Sequence, residues 1–264
     1  MYSLLNLFEN PNIRTLCECG PFKVIEYTRD LSNTKMSAIY EYYASQMNVH
    51  KRQLVCTLNG ANKITLQPGA MQWMAGQVQM VSGVKGVGDA VGKIFKGAVT
   101  GERMAKPEYT GAGIVCTEPT YKHIILLDLS KFGGAVMVED GMFFACSENV
   151  NLRVVPRNTV SSAIAGGAGL FNLVLEGTGI VALESYVPYE ELMCVRLEND
   201  VLKVDGNLAV FWTPSLQFTV ERSSQTLIGS AASGEGLVNV YRGSGYVYLT
   251  PVANSISTSA RLME

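Results

Sequence analysis

Charge and histidine are scarce in this sequence, and both shortages narrow the functions open to it. Charged residues make up 17% of the 264 residues, the formal net charge is -2, and there are two histidines. A protein that binds nucleic acid normally carries a basic face that displaces counterions from the phosphates. The sequence offers no such electrostatic footprint, so we expect no nucleic-acid partner.

A disulfide pattern, a leader peptide and long apolar runs are also missing. The six cysteines are scattered, and several lie in apolar runs where a free thiol behaves as a small hydrophobe. The opening MYSLLNLFENPNIR has no basic leader followed by an apolar stretch, and no window reaches the ~18 uncharged apolar residues of a membrane span. We therefore expect a soluble cytoplasmic protein.

Glycine, by contrast, is abundant and recurs at a fixed interval. The 26 glycines and the 47% hydrophobic content favour many turns and short strands over long helices. The segments GAGIVCTEP, GTGIVALES and GSGYVYLTP begin at Gly111, Gly177 and Gly243, and 177 − 111 and 243 − 177 are both 66. Such regular spacing predicts one supersecondary unit present in three copies.

Two further echoes support the three copies. GERMA, GAGLF and GEGLV lie just upstream of the three segments, and PGAMQWM, DGMFFAC and DGNLAVF recur in the same order. A glycine before an apolar run marks a tight turn with positive φ or a bulge, and Gly179 and Gly245 occupy equivalent turns. Valine at either position would cost roughly 1–3 kcal/mol if φ is positive there. A one-residue offset between copies predicts a bulge near Val174 to Glu176.

These patterns predict an all-β fold. We expect three similar β-repeats of about 66 residues, forming double-layered sandwich or short double-stranded β-helix units in one body, with a few short helices. Two half-units at the chain ends would complete each other, which places the strand of Ala70 to Met74 in the same layer as that of Tyr246 to Leu249. The predicted domains are an N-terminal extension, residues 1–46, and a triplicated body, residues 47–264.

The N-terminal extension has its own pattern. FKVIEYTRD, residues 22–30, alternates like a strand. SNTKMSAIYEYYASQMN, residues 32–48, begins with capping residues and spaces its apolar residues as a helix does. We predict a strand and a short helix, and favour a helix whose aromatic stripe covers the end of the β body over one that forms an interaction face.

The segment GVKGVGDAVGKIFKGAVTG, residues 83–101, is rich in glycine and lysine but fits no phosphate-binding motif. A P-loop needs Ser or Thr after its Gly-Lys pair, and Ile94 stands there; a dinucleotide fingerprint needs a third glycine that is absent. Lys85, Lys93 and Lys96 could mark a membrane-surface helix. The corresponding segments of the other copies lack lysine, which favours a structural linker.

Candidate metal and catalytic groups are few. Cys17 and Cys19 could supply two thiolates, but His50 and His123 lack the paired spacing of a zinc site. His123 lies in an apolar strand pattern, with Asp128 on the opposite face. The adjacent carboxylates are read as solvated turn residues: Glu139 with Asp140, Glu190 with Glu191, and Glu198 with Asp200. We predict no catalytic, cofactor-binding or metal-binding residues, and no enzyme activity.

Several ordered motifs resemble one protein family. LQPGAMQWMAG, YTGAGIVCTEPTY, VEDGMFFAC, GLFNLVLEGTGIVALES, LKVDGNLAVFW and GEGLVNVYRGSGYVYL are similar to the altered inheritance of mitochondria protein twenty-four family, in its bacterial branch. The resemblance spans about Met47 to Ala253. It implies double-layered β-repeats related to the tryptophan RNA-binding attenuation protein, without tryptophan or RNA binding. It implies little biochemistry, although mitochondrial relatives are associated with inner-membrane organisation.

Together these observations predict a non-enzymatic β-repeat protein that acts as an oligomeric assembly or interaction module. Its expected partner is itself, as a homo-oligomer, or another protein. Two alternatives remain open at this point. One is a small-ligand binder with a pocket between repeats, and the other is a peripheral membrane-surface protein using the residue 83–101 segment.

Overall fold

The protein is mostly β-structure, which confirms the predicted fold class. The structure, a computed structural model, describes residues 2–81, 106–156, 158–159, 171–206, 208–222 and 237–252. Its helix α1 spans Lys35–Gln46. The strands are β1 Ile13–Cys19, β2 Phe22–Tyr27, β3 Arg52–Leu66, β4 Met71–Val81, β5 Glu108–Thr117, β6 His123–Asp128, β7 Ala135–Val138, β8 Phe143–Ser147, β9 Val150–Pro156, β10 Asn158–Thr159, β11 Phe171–Gly177, β12 Ile180–Ser185, β13 Met193–Asp205, β14 Ala209–Trp212, β15 Gln217–Arg222 and β16 Leu237–Leu249.

The strands form two eight-stranded sheets. The first has the order β1-β2-β3-β8-β12-β6, with β5 on β3 and β4 on β5. The second has the order β10-β15-β16-β14-β7-β11-β9, with β13 on β16. Long strands such as β3 and β16 change partners along their length, so each takes part in more than one pairing. The chain therefore links its strands mostly by long-range antiparallel contacts.

The three Gly-x-Gly segments share a backbone geometry. Their first glycines have φ of 106° at Gly111, 139° at Gly177 and 117° at Gly243, a region that only glycine adopts readily. At the second glycine of a segment, a side chain would be excluded by lack of space and not by the value of φ. A Cβ at Gly179 would lie 2.4 Å from Ser147 Oγ, and one at Gly245 would lie 2.2 Å from Thr213 Oγ1. Positive φ, the condition set for a valine penalty at Gly179 and Gly245, therefore occurs at the first glycine of each segment and not at the second.

Two strand pairings with the same hydrogen-bond pattern connect successive parts of the chain, and we call each of them a joint. The end of β3 pairs with β8, where the Gln67 N–H donates to the Phe144 carbonyl at 2.8 Å. The strand β7 pairs with β14 in the same way, and the Glu139 N–H donates to the Val210 carbonyl at 3.1 Å. The acceptor lies in both cases at a register shift in the accepting strand. The two joints therefore have one geometry, used twice.

One of the core clusters lies between the two sheets, and each sheet also encloses a cluster of its own. One cluster combines Ile125 and Val181 of the first sheet with Val136, Leu173 and Phe211 of the second, and all five are buried. The strand β8 is buried along its whole length, as expected for a strand covered on both faces. The same face of the first sheet is covered over β2 and β3 by the N-terminal segment, whose Leu7 packs in a smaller cluster with Ile25 and Val55. Burial between and around the sheets fixes their relative position.

Two predictions about strand pairing are wrong. The strand of Ala70 to Met74 begins β4 in the first sheet, whereas Tyr246 to Leu249 belong to β16 in the second, so the chain ends do not share a layer. No bulge occurs near Val174 to Glu176, because β11 pairs without a shift with both β9 and β7.

The N-terminal patterns gave correct elements and missed one. The strand predicted at residues 22–30 is β2, and the helix predicted within residues 32–48 is α1. Thr34 caps the helix, since its side chain accepts from the Ser37 N–H and the Ser37 side chain accepts from the Thr34 N–H. The strand β1 was missed. It pairs with β2, and β2 pairs with β3, so residues before 47 extend the first sheet.

Candidate functional site: an outward helix and two open sheet edges

The helix α1 turns its apolar stripe to solvent. Met36, Ile39, Tyr40, Tyr43 and Met47 share one helical face, and their exposed fractions run from 63% to 83%. The half-buried side consists of small and polar residues: Ser37, Glu41, Ala44 and Ser45. The expectation that the aromatic stripe covers the β body is therefore wrong, because the helix packs through its polar side.

Hydrogen bonds and a buried ion pair hold the helix in this orientation. The Tyr121 hydroxyl donates to Glu41 Oε1 at 2.5 Å. Past the helix end, Asn48 adopts a φ of 60°, and its carbonyl accepts from Arg52 Nη2 at 2.8 Å. That guanidinium lies 2.7 Å from the Glu26 carboxylate, and both side chains are 1% exposed. The outward stripe is thus fixed from the core of the first sheet.

His123 lies beside this buried pair. It begins the edge strand β6 and is half-buried. Burial, together with the nearby Arg52 guanidinium, lowers the pKa of His123 from 6.5 to about 4. The imidazole is therefore neutral at physiological pH. His123 thus fits the predicted core or edge histidine, and the pH dependence of stability tests that environment.

Six strands have a single partner strand each in the described part of the chain, and the two longest of them are β4 and β13. The strand β4 pairs with β5 alone, and β13 pairs with β16 alone. The sequence of β4, MQWMAGQVQMV, has no charged residue and no proline. Met74, Met80 and Val81 on this strand are exposed. Natural proteins commonly protect such edges with charge, proline or short length, so β4 is an unusually bare edge.

A recess of about 360 Å³ lies where the two sheets meet. Thr65 of β3 and Glu108 of β5 line one side, and Leu152 of β9 and Leu173 of β11 line the other. Lys63 Nζ lies 3.0 Å from Glu108 Oε1 within it. The recess therefore has a mainly polar lining with a smaller apolar part.

The structure does not bring the predicted candidate residues together. Cys17 and Cys194 are exposed, and within the described ranges no group of three or more His, Cys, Asp or Glu side chains is arranged to hold a metal ion. The reading of the carboxylate pairs as solvated turn residues is wrong for Glu139, which is buried at 6% exposure. Glu190 and Glu191 are exposed in a 3-10 turn.

The glycine and lysine segment, residues 83–101, lies outside the described residues. So do the upstream echoes at Gly101, Gly167 and Gly234. The membrane-surface alternative that rests on Lys85, Lys93 and Lys96 therefore stays a prediction. Within the part of the chain that is described, no helix has the length and apolar character needed to cross a bilayer.

Sequence reasoning missed the importance of Arg52, Glu26 and the edge of β4. A glutamate and an arginine in apolar strand patterns, EY after FKVI and the RQLV that opens β3, carried a weak signal of a buried pair. The lack of charge in residues 71–81 was visible too. It points to an edge only once the strand order is known.

The fold and these surfaces define an all-β protein with two sheets and an apolar helical face open to solvent. Residues 45–252 match the family described as mitochondrial biogenesis AIM24, and the chain belongs to that family. It is 24% identical over 199 residues to an uncharacterized protein of Streptococcus pyogenes serotype M6, covering 73% of this chain and 78% of the relative.

A crystal structure of a Streptococcus pyogenes protein is also similar. The TM-score is 0.61 at 21% identity, with 95% of this chain and 98% of that chain covered. Likeness at this identity shows the fold. The family resemblance seen in the sequence is thus confirmed, while the relation to the tryptophan RNA-binding attenuation protein stays a prediction.

Proposed function

We propose that this protein is a non-enzymatic assembly module that works as a homo-oligomer. The observation that carries the proposal is the outward stripe of helix α1. Its five side chains, Met36 to Met47, are each more than half exposed. Clustered apolar residues on an ordered helix are typical of an interaction surface rather than of scattered surface hydrophobes.

The energetics favour covering this stripe. Burying a large apolar side chain gains roughly 1.5–3 kcal/mol relative to leaving it in water, and an ordered helix has already lost much of its conformational freedom. The capping by Thr34 and the anchor at Arg52 hold the stripe in place before any partner arrives. Such preorganisation lowers the cost of association.

Light scattering coupled to size-exclusion chromatography tests the proposal. We expect an oligomer at micromolar concentration, and Tyr43→Glu should shift it toward lower mass because it places a charge in the stripe. Ala38→Glu is the matched control, since Ala38 is exposed on the opposite side of the same helix. A wild-type protein that stays monomeric at every concentration would refute the proposal.

The recess between the sheets favours one second candidate, a small-ligand-binding function. Its lining is mainly polar and includes Lys63 and Lys106, beside the apolar side chains of Leu152, Val154 and Leu173. Two lysines in a mainly polar recess suit a small anionic or polar metabolite. A thermal-shift screen of metabolites tests it. A hit should disappear in Lys63→Glu, which reverses a charge in the lining, and persist in Tyr43→Glu, and a screen without hits would remove this candidate.

A further inference from the structure

We propose that copies of the chain join head to tail, with the edge of β13 in one copy pairing with the edge of β4 in the next. This inference rests on the proposed assembly function and names its partner, a second copy. It would repeat between copies the joints that β3 makes with β8, and β7 with β14, inside one copy.

The internal joints fix a register. Leu66 lies opposite Ala145, and Val138 lies opposite Phe211. The residue before Ala145 is Phe144, and the residue before Phe211 is Val210. Each of these two residues lies at the register shift of its strand and supplies the carbonyl that accepts the hydrogen bond. The donating N–H comes from the residue after Leu66 or Val138.

The strand β13 has the features of the donating side. Leu66, Val138 and Val204 occupy equivalent positions in β3, β7 and β13. Each lies opposite the residue four positions before the glycine of positive φ in the neighbouring strand. Leu66 and Val138 are 0% exposed, and Val204 is 5% exposed. The N–H of the next residue, Asp205, would therefore be the equivalent donor. The outer edge of β13 carries no strand in the described residues.

The strand β4 has the features of the accepting side. Its pairing with β5 shifts register between Met71 and Trp73, so Gln72 occupies the bulge position that Phe144 and Val210 hold. The residue after the bulge is Trp73, which corresponds to Ala145 and Phe211. The geometry predicts that Val204 pairs with Trp73 of the next copy, Lys203 with Met74, and Leu202 with Ala75.

The chemistry of β4 suits such a joint. An eleven-residue strand without charge or proline exposes backbone donors and acceptors along its free edge. Pairing with β13 would satisfy them by strand addition. Because β4 belongs to the first sheet and β13 to the second, the joint is head to tail, and repeated pairing makes a ring or a filament.

A charge series at Met74 tests the register. Met74→Lys would place a lysine directly opposite Lys203 of the next copy, and like charges across an interface are costly. We expect the apparent dissociation constant of the oligomer to rise more than about tenfold. Met74→Glu is the matched control, since it adds a charge of opposite sign at the same exposed position and should assemble like wild type. Adding Lys203→Glu to Met74→Lys should restore assembly.

Cross-linking gives a second readout that does not depend on stability. In the internal joints Gln67 and Phe144 form a hydrogen-bonded pair, so the proposed Leu202 and Ala75 pair would be non-hydrogen-bonded, with close Cβ atoms. The variant Leu202→Cys with Ala75→Cys, made after serine replaces the cysteines that are not buried, should oxidise to a ladder of linked copies. Each single cysteine variant should give no ladder. The replaced residues are Cys17, Cys19 and Cys194.

The outcomes separate this inference from the proposed function. An oligomer that Tyr43→Glu disrupts, but that ignores Met74→Lys and gives no ladder, would overturn the head-to-tail joint and leave the assembly function standing. An oligomer that responds to Met74→Lys, is rescued by Lys203→Glu and forms the ladder supports the joint, and it supports the helix stripe as well when Tyr43→Glu also lowers its mass. A strictly monomeric wild type overturns both.

Discussion

Replacing Gly177 and Gly243 by alanine separates two costs that glycine avoids in this fold. Both have strongly positive φ, 139° and 117°, so alanine at either position carries backbone strain of about 1–3 kcal/mol. The space around them differs. A Cβ at Gly177 would lie 1.9 Å from the Asn149 carbonyl oxygen, whereas at Gly243 the nearest atom is 3.7 Å away.

The expected losses follow from that difference. Gly243→Ala should lower the free energy of unfolding by the strain alone, about 1–3 kcal/mol. Gly177→Ala adds an overlap with backbone, which cannot move like a flexible side chain, so we expect a further loss of roughly 1–3 kcal/mol. Gly141→Ala is a control for positive φ in open space, since its φ is 77° and no atom lies within 4 Å of a Cβ there.

Urea unfolding followed by fluorescence of the buried Trp212, with circular dichroism as a second probe, measures these losses. The m-value should stay constant across the variants, because the folded surface is unchanged. In a chain of this size each kcal/mol corresponds to roughly 2–4 °C in Tm. Equal losses for Gly177→Ala and Gly243→Ala, or a smaller loss at Gly177, would refute the assignment of backbone overlap to Gly177.

Three further predictions concern titratable groups. Because the pKa of His123 is lowered from 6.5 to about 4 in the folded protein, the unfolded chain binds the extra proton first, and stability should fall as pH drops from 6.5 to 4; His123→Gln should flatten that part of the profile in urea titrations. Glu26→Gln should cost about 3 kcal/mol or more by thermal unfolding, since it leaves the buried Arg52 charge without its partner, whereas loss of the exposed Arg196 to Glu198 pair by Glu198→Gln should cost under about 1 kcal/mol. Burial raises the pKa of Cys116 and Cys146 to about 12, so in the native protein maleimide should label Cys194 and spare both, as read by peptide mass spectrometry; labelling of all sites at equal rates would contradict the burial.

Local signals in the sequence were sufficient to predict the elements that local physics determines. The spacing of Gly111, Gly177 and Gly243 marked three positions that all have positive φ. The Thr34 cap and the 3.6-residue spacing of Met36 to Met47 predicted a helix that is present. Backbone conformation and capping act within a few residues, so the sequence alone carries their signal.

The sequence did not predict whether the apolar face of α1 contacts the β body or solvent. Periodicity groups Ile39, Tyr40 and Tyr43 on one face, and it does not say whether that face meets the body or water. The orientation is decided by long-range contacts, above all Arg52 with Glu26 and Tyr121 with Glu41. The pairing of β4 and β16 was mispredicted for the same reason, since strand order depends on contacts far apart in the chain.

The edge strands differ in how far their sequences protect them from pairing with another chain, and β4 is less protected than β1 or β9. The edge strand β1 carries Arg14 and Glu18, and β9 carries Arg153 and ends at Pro156. These are the usual devices that keep an edge from pairing with another chain. The strand β4 is longer than either and has none of them. The edge of β4 is therefore open to a partner strand, and the repeated joint geometry inside the chain indicates the form that this strand takes.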